Sequence, residues 1–266
     1  MTSSVLQVEH LCIGLRATPD CLIVRDLSFS VQCGEVLGVV GESGSGKSLT
    51  AYAIAGLLAP ELGVISGRVL LKGRALDALG AGERRALSGS RIGMVFQDPL
   101  SSFNPVRTIG SILIECAMRH RGGSAVQARR HVIEALAAVR LPHPDVMVDA
   151  YPHELSGGQR QRAMIALARL NAPALLIADE PTTALDSTVQ MQVLALLRRD
   201  MGESALLLIT HDLGVAAAMC DRIVVMHEGR CVEHGDADDL LSHPQHVYTR
   251  RLLDAALALH TVSKVV

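Results

Sequence analysis

The chain has 266 residues, and 25 Lys plus Arg against 27 Asp plus Glu give a formal net charge of -2, which supplies no electrostatic footprint for nucleic acid. Aromatic residues are 2% of it, three Phe, three Tyr and no Trp, too few for a base-stacking platform. Hydrophobic residues at 49% and charged residues at 20% exclude disordered and low-complexity classes, and the length fits one α/β core with a subdomain without requiring two full domains.

The N-terminal residues Met1-Thr2-Ser3-Ser4-Val5 have neither the basic nor the apolar region of a secretory signal. Leu22 to Gln32 alternates, with Leu27, Phe29 and Val31 on one face and Ser28 and Ser30 on the other, which predicts a half-exposed antiparallel strand. Val36 to Val40 is a short apolar run, then comes a glycine-rich turn, then helical periodicity from Lys47 to Leu58. Gly67 to Lys72 and Ile92 to Phe96 are further strand candidates, separated by the charged segment Glu83-Arg84-Arg85.

From Thr108 to about Val139 the pattern predicts two helices broken at Gly122-Gly123-Ser124 and closed by Pro142 and Pro144. A helix follows Ser156 as far as Leu170, then a buried strand Ala174 to Ala178, a helix from Val189 to Met201 and a strand Ala205 to Thr210. Strands alternating with helices imply a parallel sheet covered on both faces. The tail holds a strand at Arg222 to Met226 and a helix at Val247 to Leu259. No run nears the ~18 apolar residues of a membrane span; the longest, Ala163 to Ala178, is broken by Arg169, Asn171 and Pro173, and a mean hydropathy of +0.30 comes from Ala, Leu and Val. A cytoplasmic protein is the expectation. The six cysteines form no C-x-x-C pair, which argues for idle thiols. Of the late histidines His234, His243, His246 and His260, the pair His243 and His246 has metal-ligand spacing on a helix, but Pro244 between them predicts a turn.

Gly41-Glu42-Ser43-Gly44-Ser45-Gly46-Lys47-Ser48 satisfies G-x-x-x-x-G-K-[ST] between a predicted strand and a predicted helix, the context in which that pattern binds phosphate. Its backbone N–H groups and the helix N-terminus attract phosphate oxygens, Lys47 reaches the β and γ phosphates, and the Ser48 hydroxyl suits Mg²⁺. The bland alternative is a flexible turn before a helix. Leu175-Leu176-Ile177-Ala178-Asp179-Glu180 is an apolar strand ending in two carboxylates, at the end of a sheet where α/β proteins bind ligands. Asp179 is the candidate for holding Mg²⁺ and Glu180 for polarising the attacking water. Leu155-Ser156-Gly157-Gly158-Gln159 opens another helix, with Ser156 at its N-cap and bare N–H groups at the glycines, a second anion site.

Two unlinked phosphate-binding patterns in this order resemble the ATP-binding subunits of ABC transporters along essentially the whole chain. Gln97 resembles that family's Q-loop, Ala184-Leu185-Asp186 its D-loop and His211 its switch histidine. The resemblance implies an α/β fold with a RecA-like P-loop NTPase core, an antiparallel β subdomain and an inserted α-helical subdomain. It divides the chain into a core at 1–97 and 171–235, a helical subdomain at 98–170 and a helical tail at 236–266. It implies ATP contact along Gly41 to Leu49, Mg²⁺ bound through Ser48, Gln97 and Asp179, and catalytic roles for Glu180, His211 and Gln97. Ser156, Gly157, Gly158, Gln159 and Asp186 would complete the nucleotide site of a second ATPase subunit in a head-to-tail dimer. Two transmembrane permease subunits and, indirectly, an extracytoplasmic solute-binding protein would be the further partners, at the cytoplasmic face of the membrane.

Phe96-Gln97-Asp98-Pro99-Leu100-Ser101-Ser102-Phe103-Asn104-Pro105, Tyr151-Pro152-His153-Glu154-Leu155 and His243-Pro244-Gln245-His246-Val247-Tyr248-Thr249 resemble the dipeptide, oligopeptide and nickel importer group. Peptide-type members commonly carry a C-terminal cysteine cluster that is missing here, which favours the nickel or metal-chelate type. Where the family places an adenine-stacking aromatic residue, this chain has Leu15-Arg16-Ala17-Thr18; Arg16 or an aliphatic side chain is then expected to cover the base, with loose discrimination between bases. Two other classes share parts of the pattern: non-transport ABC ATPases of DNA repair or translation, and small-molecule P-loop kinases, for which the Ser156 segment would be only a helix cap.

Overall fold

The computed structural model describes residues 4–183, 185–199 and 201–262. The first half runs β1 (Ser4–Leu15), β2 (Thr18–Gln32), β3 (Val36–Val40), α1 (Lys47–Ala55), β4 (Leu62–Leu71), β5 (Arg74–Ala75), α2 (Ala81–Leu87), β6 (Ile92–Val95), α3 (Pro99–Ser102), α4 (Ile109–Arg121) and α5 (Ala125–Ala138). The second half runs α6 (Pro144–Met147), a 3-10 turn (Pro152–Glu154), α7 (Gly157–Arg169), β7 (Leu175–Asp179), α8 (Ser187–Arg198), β8 (Ala205–Thr210), α9 (Leu213–Met219), β9 (Arg222–His227), β10 (Arg230–Asp236), α10 (Ala237–Ser242) and α11 (Val247–Val262).

By contacts the chain forms two compact units, residues 1–80 with 205–266, and residues 81–204. In the first unit, β2, β1, β4 and β5 make an antiparallel sheet in that order. The alternation in β2 buries Leu27, Phe29 and Val31 and exposes Ser28, because successive side chains of a strand point to opposite faces. A parallel set places β3 between β8 and β9, with β10 antiparallel along β9. Every residue of β3 and β8 is buried, which is why both read as unbroken apolar runs. Helix α1 stops at Ala55 rather than Leu58, because Gly56 takes φ 75° and its N–H bonds back to the Ala53 carbonyl, a left-handed cap.

In the second unit, β6 and β7 pair in parallel, Val95 opposite Ala178, and α4, α5 and α7 bury Leu113, Val132, Leu136 and Ile165 completely. Side-chain caps fix helix starts in this unit: Thr108 accepts from the Ser111 N–H, and Ser124 and Ser156 each form a reciprocal box with the glutamine three residues on, while Asp98 and Asp186 cap α3 and α8. Helix α8 ends at Arg198, short of Met201, because Arg199 is extended. β6 and β7 group with these helices because they pair with each other and α7 packs on β6.

Candidate functional site

In the first unit, β3 delivers the chain into the phosphate loop and α1 takes it out. Gly41 has φ 152° and touches the β9 backbone so closely that a Cβ there would sit 2.2 Å from the Met226 carbonyl oxygen, so no other residue fits. Ser43 and Gly44 are exposed at the tip, Ser45, Gly46 and Lys47 are buried, and Ser48 and Leu49 are half-buried at the start of α1. Lys47 is 4% exposed. Its Nζ donates to the Gly41 carbonyl at 2.8 Å, the Glu42 carbonyl at 2.7 Å and the Ser45 hydroxyl at 3.4 Å. An anionic phosphate oxygen outcompetes such neutral acceptors for an ammonium, since charge-assisted bonds are about twice as strong.

His211 follows β8 and is exposed. It sits in a tied turn: the Thr210 hydroxyl accepts from the Asp212 N–H at 2.9 Å, and Asp212 Oδ1 caps α9 by accepting from Gly214 and Val215. Arg16 lies in the β1–β2 turn, where its Nε donates to the Leu62 carbonyl at 2.7 Å and its guanidinium rests against Gly63.

In the second unit, the parallel register sets the chemistry. Val95 lies opposite Ala178, so two residues further on Gln97 and Glu180 meet at the strand ends. Gln97 Nε2 donates to Glu180 Oε2 at 3.0 Å, and the Thr183 hydroxyl donates to the same oxygen at 3.0 Å. Glu180 takes φ 45°, a left-handed conformation that costs a non-glycine residue roughly 1 kcal/mol or more and must be held by its surroundings. It is held: the Thr183 N–H returns to the Glu180 carbonyl at 3.2 Å, and the buried Gln161 of α7 donates from Nε2 to the Pro181 carbonyl at 2.6 Å. Asp179, one residue back, is fully buried. The Gln97 amide and the Asp179 carboxylate of this unit offer hard oxygens, the ligand type Mg²⁺ takes.

The Ser156 hydroxyl accepts from the Gln159 N–H at 3.3 Å and Gln159 Oε1 accepts from the Ser156 N–H at 2.8 Å, while Ser156 and Gly157 stay exposed. Asp186 Oδ1 caps α8 by accepting from Val189 at 2.9 Å, and Gly158 packs on the Val189 side chain, so close that a Cβ would lie 2.9 Å from it. The turn at Ser156 to Gln159 and the first turn of α8 are thus packed together; Ala184 lies outside the described residues. Thr183 and Gln161 escaped sequence reading because neither belongs to a spacing pattern, although the Glu180-Pro181 step does signal a constrained turn.

Among the described residues no group of three His, Cys, Asp or Glu could hold a metal ion. His243 closes α10 and His246 precedes α11, with Pro244 in the turn between them; the His260 side chain lies outside the described residues. No helix among the described residues is long and apolar enough to cross a membrane.

The ABC transporter family matches residues 24–183. The oligopeptide transport ATP-binding protein OppD of Salmonella typhimurium is 48% identical over 255 residues, covering 94% of this chain and 76% of that protein. The dipeptide transport ATP-binding protein DppD of Bacillus subtilis is 45% identical over 253 residues, again 94% and 76%. Among solved structures, a dimeric ATP-binding cassette in a post-hydrolysis state bound to ADP and Pi superposes with a TM-score of 0.75 at 26% identity, covering 87% of this chain and 98% of that one. The fold is accordingly that of the P-loop NTPase cassettes, and the chain belongs to the ABC transporter family of ATPases, among the ATP-binding subunits of the oligopeptide and dipeptide transport group.

Proposed function

We propose that this chain is the ATP-hydrolysing subunit of a peptide importer and acts as one half of a head-to-tail ATPase dimer on the cytoplasmic face of two permease subunits. The observation that carries the catalytic part is the Glu180 carboxylate, fixed at a strand end by the Gln97 amide and the Thr183 hydroxyl, a held carboxylate of the kind that orients and deprotonates a water. Lys47 and the loop Gly41 to Leu49 bind the phosphates, and His211 contacts the terminal one. When bound, Mg²⁺ neutralises charge on the phosphates; Ser48, Gln97 and Asp179 are the residues that would hold it. Ser156, Gly157, Gly158 and Gln159, with Asp186 behind them, complete the site of the partner copy, since an exposed capped helix end of 13 residues offers N–H groups to an anion.

The solute assigned is a peptide rather than a nickel chelate, on the strength of the oligopeptide and dipeptide relatives. Two exposed apolar side chains just after Gln97, Leu100 at 53% and Val106 at 79%, give the segment that would meet the permease an apolar face. Gel filtration of the Glu180→Gln protein tests the reading: MgATP should shift it to twice the mass, and a protein that stays monomeric with bound nucleotide would instead be a single-site kinase. The absence of an aromatic ring at Leu15 to Thr18 predicts that ATP and GTP are hydrolysed with kcat/KM values within about a hundredfold of each other; a larger preference in a competition assay removes Arg16 and its neighbours from base recognition.

A further inference from the structure

The last helix of the first unit reaches the phosphate loop. Tyr248, the second residue of α11, is 8% exposed, and its hydroxyl oxygen accepts a hydrogen bond from the Glu42 N–H at 3.0 Å. Glu42 N–H and the Gly41 carbonyl belong to one peptide unit, and that carbonyl is the acceptor 2.8 Å from Lys47 Nζ. One peptide plane is therefore gripped at both poles, by the phenol on its hydrogen and by the phosphate-binding ammonium on its oxygen. Because the peptide is rigid, turning it about its neighbouring single bonds would break both contacts together.

The grip has its own supports. The Tyr248 ring stacks on His227 at the end of β9, centroids 3.9 Å apart and planes at 24°. Its N–H donates to His246 Nδ1 at 3.2 Å. The chain before it is hung from Glu233 of β10, whose carboxylate accepts from the Gln245 N–H at 2.7 Å and the His246 N–H at 3.0 Å. Burial opposes ionisation of Glu233, but the donors around it outweigh that and lower its pKa. Burial pushes the Tyr248 phenol up, so its oxygen stays a neutral acceptor.

The geometry points to Tyr248 as a positioning residue for ATP: by fixing the Gly41–Glu42 peptide it sets where Lys47 sits, so the segment 243–248 is part of the phosphate site although it lies about two hundred positions from it in the chain. This rests on the nucleotide reading of the loop and extends it to a residue outside the nucleotide motifs. Lys47 would touch the phosphates in both ground and transition states, so loss of its positioning raises KM and leaves kcat nearly alone.

The test compares the full chain with Tyr248→Phe, which keeps the ring on His227 and removes only the hydroxyl, and with Tyr248→Leu, which removes both. Three measurements are needed: MgATP affinity by fluorescence titration, kcat and KM for hydrolysis, and amide hydrogen exchange at Glu42 without nucleotide. In Tyr248→Phe, KM and Kd for MgATP should rise about three- to tenfold, the effect of losing one such hydrogen bond, with kcat within about twofold. The Glu42 amide should exchange roughly tenfold faster while β9 amides keep their rates. Native affinity and native Glu42 exchange in Tyr248→Phe, with weakened binding only in Tyr248→Leu, would reduce Tyr248 to ring packing and overturn the proposal. If the unaltered protein bound no MgATP, the nucleotide reading itself would fall and this inference with it, a result distinct from the first.

Discussion

Glu180→Gln is expected to bind MgATP as tightly as the native chain, within about twofold, and to hydrolyse it roughly 10²–10⁴-fold more slowly, the usual loss when a general base is removed. The substitution is nearly isosteric and keeps an acceptor oxygen for Gln97 Nε2 and the Thr183 hydroxyl, the two donors now 3.0 Å from Glu180 Oε2. The left-handed turn at φ 45° and the bond from the Gln161 side-chain amide to the Pro181 carbonyl do not involve the Glu180 side chain and are untouched. What changes is proton affinity: an amide cannot take a proton from water, whereas a carboxylate can. Steady-state phosphate release measured beside equilibrium nucleotide binding separates the two effects. Turnover within tenfold of native would take Glu180 out of the base role and leave it as a structural residue of the β7 exit.

Lys47→Ala should fail in the opposite way, losing MgATP affinity by about ten- to hundredfold, as expected for a charge-assisted hydrogen bond removed from a site. The side chain is buried and donates to the loop oxygens of Gly41, Glu42 and Ser45, so the loop also loses the cation around which its carbonyls converge. The measurement is protection against thermal unfolding by MgATP, where a ligand at a hundred times its Kd adds about 2.7 kcal/mol. The native chain should show that shift and Lys47→Ala should show little of it at the same concentration. Scanning both proteins without nucleotide isolates the intrinsic cost of the substitution. Equal protection in the two proteins would place the phosphates elsewhere.

The β2 alternation, the apolar runs of β3, β7 and β8, the helix break at Gly122-Gly123-Ser124 and the cap at Ser156 were legible because each rests on spacing within a few residues, and local spacing survives without knowledge of the fold. The polar edge strand β10 and the seven-residue α9 were not anticipated. The first has the sequence Arg-Cys-Val-Glu-His-Gly-Asp with no buried face, and the second is too short to develop a periodicity. Helix α1 was read three residues too long because periodicity continues past the point where Gly56 turns left-handed. The preference for a nickel-type solute came from a missing cysteine cluster, a statement about chain length rather than about a site, and the oligopeptide and dipeptide relatives now support a peptide instead.

By itself the sequence determined the local patterns on which the proposed phosphate binding and hydrolysis rest: a glycine loop followed by Lys47, a strand ending in Asp179 and Glu180, and a capped glycine turn at Ser156, each a short contiguous run of donors and acids. Tertiary structure alone decided how those groups are held. The β6–β7 register brings Gln97 to Glu180 across 83 positions, and the Tyr248 ring on His227 of β9, with the Gln245 and His246 amides on Glu233 of β10, carries Tyr248 to Glu42 across 206. Contacts that distant depend on strand pairing and helix docking, whose energies come from surfaces buried in the folded chain, and no local pattern of residues encodes which two surfaces will meet.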